Sequence, residues 1–351
     1  MEGIKDLPKA KIKALKKQFK YHQYELVKEF HTNENCDIKW LCNYLKISRA
    51  SYYKWLNRKE TKLEIENQMI LECIRDIAKS NNSLFGTVKM TYVVNRRMSS
   101  KYNHKRIYRI MCVNGIEPNF RKAKHYRWKR STPETTAENV LNREFEVNKP
   151  NEVWCTDVTE VAYPGIKQKV YISSYIDLYD RSIPGLFVSS RNDAYLANTA
   201  LDKAIEANPN ATPLHHSDRG FAYTREPFKH RLEELGMTQS MSRVSRCIDN
   251  GPCESFQGII KEMLLVLYPN LETYEELVEA IYKTYDYYQY EYPQARFHGL
   301  TAMEVREAAL ASNTPQKYPI TPNPRVVKYW KHIDELKQRQ NKNQVEINQL
   351  G

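Results

Sequence analysis

The sequence predicts an α/β protein, in which a mixed sheet flanked by helices follows all-α helix-turn-helix modules. Two observations lead to this prediction. Apolar residues recur at helical spacing as far as about residue 115, whereas short β-rich runs begin at Val153. Three such runs are followed by alternating helix and strand patterns, which is typical of a mixed sheet covered by helices.

Length and composition exclude several classes of protein. The 351 residues suit two or three domains, and 41% apolar with 27% charged residues is the composition of a globular chain. No apolar run approaches the ~18 residues of a membrane-spanning helix, and the N-terminus lacks a secretory signal pattern. None of the seven cysteines forms a C-x-x-C pair, so we expect reduced thiols and a cytoplasmic protein.

Positive charge is concentrated in the first half of the chain. Residues 1–150 contain 32 basic and 16 acidic residues, whereas residues 151–351 contain 22 basic and 26 acidic residues. This asymmetry indicates that the first half binds a polyanion and that the second half has another task. A merely soluble basic surface is the alternative.

The first helical pattern is a helix-turn-helix at residues 37–58. Ile38, Leu41 and Leu45 recur at helical spacing, a short turn follows, and Ser48 is placed to cap a second helix that carries Tyr52, Trp55 and Leu56. The exposed side of that helix would carry four polar residues able to contact DNA in the major groove. These are Arg49, Ser51, Lys54 and Arg58. A plain helical hairpin with a solvated basic face is the alternative.

A second helical module follows, with apolar faces predicted over residues 67–79 and 103–113. Lys105, Arg106 and Arg109 lie on its last helix, which Gly115 would end. The pattern favours a further unit of the helix-turn-helix type that contacts DNA.

Residues 121–130 read RKAKHYRWKR, with six Lys or Arg in ten and three aromatic rings between them. Basic side chains neutralise phosphates and aromatic faces stack on exposed bases, so this segment is predicted to contact nucleic acid rather than to be only a solvated linker. The side chains assigned to this contact are Arg121, Lys122, Lys124, Arg127, Trp128, Lys129 and Arg130.

Three acidic residues of the second half stand where catalysis could use them. Asp157 lies inside the first apolar strand, Asp218 comes just after the fourth strand, and Glu254 falls in the first turn of a long helix, with 35 residues between it and Asp218. A charge inside a strand is costly unless it is paired or binds a metal ion. Clustered carboxylates suit two Mg²⁺ ions, which activate an attacking hydroxyl and stabilise a leaving oxygen.

Several segments closely resemble bacterial insertion-sequence transposases, specifically the OrfB subunit of the elements with two reading frames, whose core is similar to retroviral integrase. The segments are W-C-T-D-V-T-E (154–160), H-S-D-R-G-F-A-Y-T (216–224), Q-S-M-S-R-V-S-R-C-I-D-N-G-P-C-E-S-F (239–256), I-S-R-A-S-Y-Y-K-W (47–55), N-H-K-R-I-Y-R-I-M (103–111) and L-N-R-E-F (141–145). Together they span roughly residues 24–306.

The resemblance implies an RNase H-like core in which Asp157, Asp218 and Glu254 bind two Mg²⁺ ions, with Mn²⁺ as a substitute, and catalyse cleavage and strand transfer. It also implies that Lys261, two helical turns after Glu254, contacts the DNA end, and that Arg219, Asn250 and His216 support the site. The expected partner is double-stranded DNA, as terminal inverted repeats and as target, in the bacterial nucleoid.

The sequence departs from the family at a few positions. Relatives usually carry arginine where Tyr292 stands, proline where Ala302 stands, and an aromatic residue where Gln257 stands. A Y-G-Y-R-R-I pattern is replaced at residues 84–89. These departures leave the acidic triad intact and bear on DNA-end binding and target choice.

The predicted organisation has six parts. They are a basic helical segment (1–30), a helix-turn-helix (31–60), a second helical module (61–120), a basic and polar linker (121–147), an RNase H-like integrase core (148–308) and a polar C-terminal tail (309–351).

The leading functional hypothesis is a DNA transposase that acts as a homo-oligomer on DNA. Two alternatives stay open: a transposase-derived protein that binds DNA ends without cutting, and a stand-alone nuclease for RNA–DNA hybrids. The first residues are too short for the upstream helix-turn-helix that related elements add by frameshifting, so an upstream subunit or fusion is a further expected partner.

Overall fold

The computed structural model describes residues 9–119, 139–243 and 247–320, together with residues 327, 328, 331, 332 and 335. The chain divides into two compact units, residues 1–122 and 123–351. The described part of the first unit is helical, and the second unit contains the sheet.

The first unit is formed by helices α1 (Lys9–Glu34), α2 (Ile38–Tyr44), α3 (Arg49–Leu56), α4 (Lys62–Ser80), α5 (Thr87–Arg97) and α6 (His104–Val113). The sequence predicts most of these segments, but α5 was not identified from the residue pattern.

The helix-turn-helix pattern corresponds to α2 and α3, which pack with α1 around one apolar cluster. Tyr24 and Val27 of α1 are buried against Leu41 and Tyr52, with Cys42 beside them. Burial of these rings and aliphatic groups gives the three helices their main stabilisation.

The ends of α2 and α3 match the prediction in part. Asp37 caps α2, its carboxylate accepting a hydrogen bond from the Trp40 backbone N–H at 2.8 Å. Ser48 occupies the N-cap position of α3, but its side chain makes no capping hydrogen bond. Leu56 was predicted to lie on the apolar face of the second helix, but it is the last residue of the short helix α3 and its side chain is exposed.

Two glutamates in the first turns of α4 connect it to neighbouring segments. Glu64 completes a capping box with Thr61 and also accepts hydrogen bonds from Arg58, just after α3. Glu66 pairs with Arg106 of α6 at 2.7 Å. Two arginines predicted to face DNA are therefore engaged in ion pairs within their own unit.

The second unit contains strands β1 (Val153–Val161), β2 (Val170–Asp177), β3 (Leu186–Ser189), β4 (Leu214–Ser217) and β5 (Thr238–Met241). Its helices are α7 (Ala194–Ala207), α8 (Glu226–Glu234), α9 (Gly251–Leu267), α10 (Tyr274–Tyr290) and α11 (Ala302–Leu310).

The strands form one five-stranded sheet in the order β3-β2-β1-β4-β5. β1 is antiparallel to β2, and β2 is antiparallel to β3, whereas β1, β4 and β5 run parallel. The predicted mixed sheet flanked by helices is confirmed, and it has the RNase H-like arrangement that the resemblance implies.

Side chains of β1 alternate between two covered faces of the sheet. Trp154 and Tyr175 of β2 lie in an apolar core with α7 and α8, where Leu201 and Phe228 are buried. Cys155 and Asp157 belong to the opposite face, since successive strand residues point to opposite sides, and α9 packs against β1. A strand covered on both sides reads as a nearly continuous apolar run, which makes a charge in its middle conspicuous.

The beginning of the predicted polar tail packs against the second unit. Tyr318 is buried, and its ring meets that of Phe297 at 4.9 Å between centroids. Tyr179 donates a hydrogen bond to the backbone carbonyl of Gln316 at 2.8 Å. Most of the remaining tail lies outside the described residues. Within those residues, no helix is long and apolar enough to span a membrane.

Arg306 of α11 is buried in a polar cluster at the end of the sheet where β1 begins and β2 ends. Its guanidinium donates to Asp180 at 2.9 Å, to Asp177 at 3.2 Å and to Asn151 at 2.8 Å. Burial, and then the negative charge of Asp180, raise the pKa of Asp177 to about 7 even beside this arginine. Arg306 therefore holds α11 to the sheet and compensates two buried carboxyl groups.

Replacing Arg306 with Met should lower the free energy of unfolding by about 3–5 kcal/mol, because two buried carboxylates lose their counter-charge. The loss should be smaller at pH 5 than at pH 8, since a protonated carboxyl group no longer needs the cation. Urea denaturation measures both effects. The matched control is Lys283→Met, which removes an exposed ion pair with Glu279 and should cost less than about 0.5 kcal/mol. Equal losses for the two variants would contradict the assignment.

Candidate active site

Asp157 lies in the middle of β1, on the sheet face that α9 covers. Its neighbour Thr156 points the other way and donates a hydrogen bond to the Ser174 backbone carbonyl at 3.0 Å. Asp157 itself is directly opposite Ser174 of β2 in the antiparallel register. The pairing of β1 with β2 therefore fixes the position of the Asp157 carboxylate on the sheet face that α9 covers.

Asp218 reaches Asp157 because β1 and β4 are parallel neighbours. Thr156 pairs with Ser217, so one residue further along each strand brings Asp157 level with Asp218. The turn after β4 is tight: the Gly220 N–H donates to Asp218 Oδ1 at 2.8 Å. A Cβ atom on Gly220 would lie only 2.9 Å from that same oxygen, so a larger residue there would displace the Asp218 carboxylate.

Glu254 enters the site from the first turn of α9. Asn250 precedes that helix and donates from its side chain to the Thr156 backbone carbonyl at 3.3 Å. This hydrogen bond ties the start of α9 to the strand that carries Asp157. The three predicted acidic residues therefore come from β1, from the end of β4 and from α9.

The three carboxyl groups influence one another electrostatically. Burial, then the charges of Asp218 and Glu254, raise the pKa of Asp157 well above its usual value. Burial also raises the pKa of Asp218, which the Gly220 N–H opposes. Burial and then the charge of Asp218 raise the pKa of Glu254 to about 7. Negative charge is thus held in an environment that disfavours it.

Lys261 lies on the same helix as Glu254 and near Asp157. Burial lowers the pKa of this lysine, while the charges of Asp157 and Glu160 favour its protonated form. Lys261 is the seventh residue after Glu254, about two helical turns, which places both on one side of α9. The interaction with Asp157 puts an ammonium group at the border of the carboxylate cluster.

The donor set fits a hard divalent cation. Mg²⁺ takes oxygen ligands and uses a few carboxylates together with water and phosphate oxygens. Burial raises the pKa of all three groups, and neighbouring carboxylates raise those of Asp157 and Glu254 further, so a bound cation would favour their charged forms. Within the described ranges, no three or more His, Cys, Asp or Glu side chains are arranged so that they could hold a metal ion, so the case for a cation rests on the type of these residues and on their electrostatics.

Asp249, which the sequence did not single out, anchors the segment leading into α9. Its buried carboxylate accepts from Arg243 Nε at 2.7 Å, from Asn139 at 2.9 Å and from Arg143. Burial alone would raise its pKa, but these donors hold the pKa below its usual value. The L-N-R-E-F segment therefore has a structural role, because its Arg143 compensates the negative charge of the buried Asp249 carboxylate.

His216 contacts residues that position the site, and both of its ring nitrogens are used in these contacts. Its Nδ1 is 2.9 Å from Ser240 Oγ, and its Nε2 is 3.0 Å from the Asp249 carbonyl oxygen. Burial lowers the pKa of His216 to about 4, so the ring is neutral and spans from β5 to the segment before α9.

Gln257 is part of a buried polar network behind the acidic cluster. Its Nε2 donates to Ser174 Oγ at 2.6 Å, and Tyr285 donates to Gln257 Oε1 at 3.2 Å. Because Ser174 pairs with Asp157 across the strands, this network joins α9 and α10 to the strand pair that carries the first carboxylate. The polar residue at this departure from the family therefore has partners.

The other two departures are also accommodated. Tyr292 is buried and stacks on Tyr288, with 5.6 Å between ring centroids. Ala302 is the first residue of α11 and follows the N-cap Thr301, which forms a capping box with Glu304. Proline is favoured at that position because its N–H is not needed there, and alanine is a good helix former that also fits.

The residues predicted to contact DNA are found in different situations. Arg219 donates from Nε to the Ser242 backbone carbonyl at 2.7 Å, so part of its guanidinium is used inside the unit. Arg58 and Arg106 are paired with glutamates of α4. Exposed side chains of the set in the helical unit are Arg49, Lys54, Lys105 and Arg109, and Ser51 is partly buried. Arg121, Lys122, Lys124, Arg127, Trp128, Lys129 and Arg130 lie outside the described residues.

Residues 139–143, Ser174, Asp249 and Tyr285 were missed from the sequence. Their roles depend on partners far along the chain, and a buried serine or tyrosine carries no local signal of such a partner. The one available clue was the L-N-R-E-F resemblance.

Replacing Glu254 with Gln should raise the resistance to urea at pH 8 when no divalent cation is present. The pKa of Glu254 is about 7 in the folded chain against an ordinary value of 4.5, so its charge destabilises the folded state above pH 7. Stability due to this group rises as pH falls from 7 towards 4.5. The gain from the Gln variant should therefore shrink towards pH 5. Glu307→Gln, at an exposed position of α11, is the control, and a gain equal at both pH values would contradict the prediction.

Comparison with known proteins agrees with this geometry. Residues 147–247 match the family model of the integrase core domain, which includes Asp157 and Asp218 but ends before Glu254. Residues 64–124 match the model of an HTH-like domain, which corresponds to the helical module formed by α4, α5 and α6.

Curated relatives match along most of their length. A protein named as a transposase, InsK, for the insertion sequence element IS150 of Escherichia coli is 32% identical over 265 residues, covering 74% of this chain and 90% of that protein. The transposase for IS904 of Lactococcus lactis is 26% identical over 244 residues, covering 69% and 94%.

Among solved structures, the HTLV-2 integrase catalytic core domain in complex with magnesium covers 44% of this chain and 96% of its own, at 23% identity and a TM-score of 0.36. That score is too low to establish a shared fold by itself. The family rests on the curated relatives: the chain belongs to the insertion-sequence transposases that carry an integrase core domain, and it is a polynucleotidyl transferase of that family.

Proposed function

We propose that this transposase cleaves DNA at the ends of its insertion sequence and joins them to target DNA, using Asp157, Asp218 and Glu254 as ligands for two Mg²⁺ ions. The observation that carries the proposal is the placement of three buried or half-buried carboxyl groups from β1, the end of β4 and α9 beside one another, where burial raises the pKa of each and neighbouring carboxylates raise those of Asp157 and Glu254 further. Buried like charges of this kind cluster at functional sites.

The proposed reaction is two successive phosphoryl transfers. Water attacks a phosphodiester at the element end, forming a new P–O bond while the P–O bond to the 3′-oxygen breaks and leaves a 3′-hydroxyl. That hydroxyl then attacks a target phosphodiester in line, and the target 3′-oxygen leaves. Bound Mg²⁺, with Mn²⁺ as a substitute, would lower the pKa of the attacking hydroxyl and stabilise the leaving oxygen.

The chain's own residues bind and orient in this scheme. The three carboxylates would hold the cations, because β1, the Asp218 turn and α9 are fixed to one another by backbone and side-chain hydrogen bonds. Lys261 would bind a phosphate oxygen of the DNA end through its ammonium group. Burial on the α9 side limits bulk water, which strengthens each of these interactions.

The exposed basic residues of the first unit supply the proposed DNA grip. Arg49 and Lys54 lie on α3, and Lys105 and Arg109 lie on α6. Arg58 and Arg106 are held by Glu64 and Glu66 and are assigned mainly to structure. The basic segment 121–130 is proposed to bind further phosphates.

Pairing of two element ends would require a homo-oligomer on DNA in the bacterial nucleoid, and an upstream-frame helix-turn-helix subunit or fusion is proposed as a further partner. These partners follow from the family resemblance rather than from a surface of the chain.

Glu254→Gln and Asp157→Asn should each reduce metal-dependent nicking by about 10³-fold or more, because each removes a cation ligand worth several kcal/mol in the transition state. The measurement uses labelled duplexes that carry the flanking terminal repeats, with Mg²⁺ or with EDTA. Glu307→Gln should cut like the wild type. Cutting that survives Glu254→Gln would show that the site is wrong. End binding without any cutting, even with an upstream subunit added, would favour a binding-only protein.

Arg49→Ala combined with Lys54→Ala should weaken binding to duplex DNA in EDTA and make its salt dependence less steep, by about one unit for each phosphate that the variant no longer neutralises. Arg58→Ala should change the salt dependence little and should instead lower the stability of the helical unit. Fluorescence anisotropy over a series of salt concentrations measures the first effect, and urea denaturation measures the second. If Arg58→Ala reduced the salt dependence of binding as much as the double variant does, the division into DNA-contacting residues and residues paired within the unit would be wrong.

A further inference from the structure

The turn after Asp218 is a rigid support for one exposed aromatic ring. Besides the Gly220 hydrogen bond to the carboxylate, the Tyr223 N–H donates to the Gly220 carbonyl oxygen at 3.0 Å. Ala222 and Tyr223 are buried in the core with Phe228. The chain on the C-terminal side of Phe221 is therefore fixed in the core.

Phe221 itself remains 56% exposed. The guanidinium carbon of Arg225 lies 3.8 Å from the centroid of its ring, so the cation covers one face of the ring. The exposed surface must then belong mainly to the other face and the edge. A large aromatic ring that has a cation over one face and an exposed second face can stack on another flat aromatic group.

The location limits what that partner is. Phe221 is three residues after Asp218, so their Cα atoms are at most about 11 Å apart. Successive phosphates of one DNA strand advance about 3.4 Å along the helix axis. A substrate phosphate at Asp218 would therefore bring neighbouring nucleotides of the same strand within reach of Phe221. Arg225 adds positive charge beside the ring, which favours a polyanion over a neutral partner.

We propose that Phe221 stacks on an unpaired base of the DNA strand next to the scissile phosphate, with Arg225 supporting the far face of the ring and neutralising a neighbouring phosphate. A base inside a duplex is covered on both faces, so the site is specific for an end that has frayed or has been opened. This inference rests on the proposed function, because it needs DNA to occupy the carboxylate cluster.

The test measures DNA binding in EDTA, where cutting is absent. The probes are a fully paired duplex and the same duplex with a short single-stranded extension at the element end, which carries the fluorescent adenine analogue 2-aminopurine. The wild type should quench the fluorescence on binding. Phe221→Leu, which is apolar but not flat, should abolish the quenching and weaken binding to the extended duplex by about tenfold, with little change for the paired one.

Two further variants separate stacking from general packing. Phe221→Trp should restore both quenching and affinity, because it restores a flat ring. Leu310→Ala, an exposed apolar position on α11 at the end of the sheet where Arg306 lies, should behave as wild type. Quenching that persists in Phe221→Leu, or equal weakening for both duplexes, would overturn the inference.

Nicking assays distinguish this failure from failure of the proposed function. Metal-dependent nicking without Phe221-dependent quenching would overturn the stacking proposal and leave the catalytic one intact. Phe221-dependent quenching without nicking would support stacking and count against catalysis by this chain alone.

Discussion

The parallel pairing of β1 with β4 is the constraint on which the site depends. It brings Asp157 and Asp218 level with each other, although two carboxylates at close range repel. The sheet can impose this arrangement because Thr156, on the other face, is held by the Ser174 carbonyl and the Tyr223 hydroxyl. Stability of the core thus offsets the electrostatic cost of the site, as is common where strain or charge serves function.

The third carboxylate depends on how α9 is fixed. One anchor is Asp249, whose three donors hold the segment before the helix, and a second is Asn250, which is hydrogen-bonded to β1. A third is the network of Gln257, Ser174 and Tyr285, on the buried side of the helix. These interactions come from distant parts of the chain, so the position of Glu254 is set by the whole second unit rather than by the local sequence.

Packing and hydrogen bonding also explain how the second unit accommodates the positions at which the sequence departs from the resemblance. Gln257, where the resemblance implies an aromatic side chain, is a buried amide, which is tolerable because both ends of it are hydrogen-bonded. Ala302 stands where proline is allowed but not required. At Tyr292, where the resemblance implies an arginine, a buried ring stacks on Tyr288 of α10.

Local pattern was enough to predict the mixed sheet, most helices of the first unit, and the three acidic residues with their strand and helix context. The β-rich run of β1 and the helical spacing of Ile70, Ile74 and Ile77 reflect local geometry, which sequence carries directly. The pairing of Arg58 and Arg106 with Glu64 and Glu66, the burial of Tyr318, and the anchors Arg143 and Ser174 were decided by tertiary structure. Each of these needs a partner from elsewhere in the chain, and residue type alone does not name that partner.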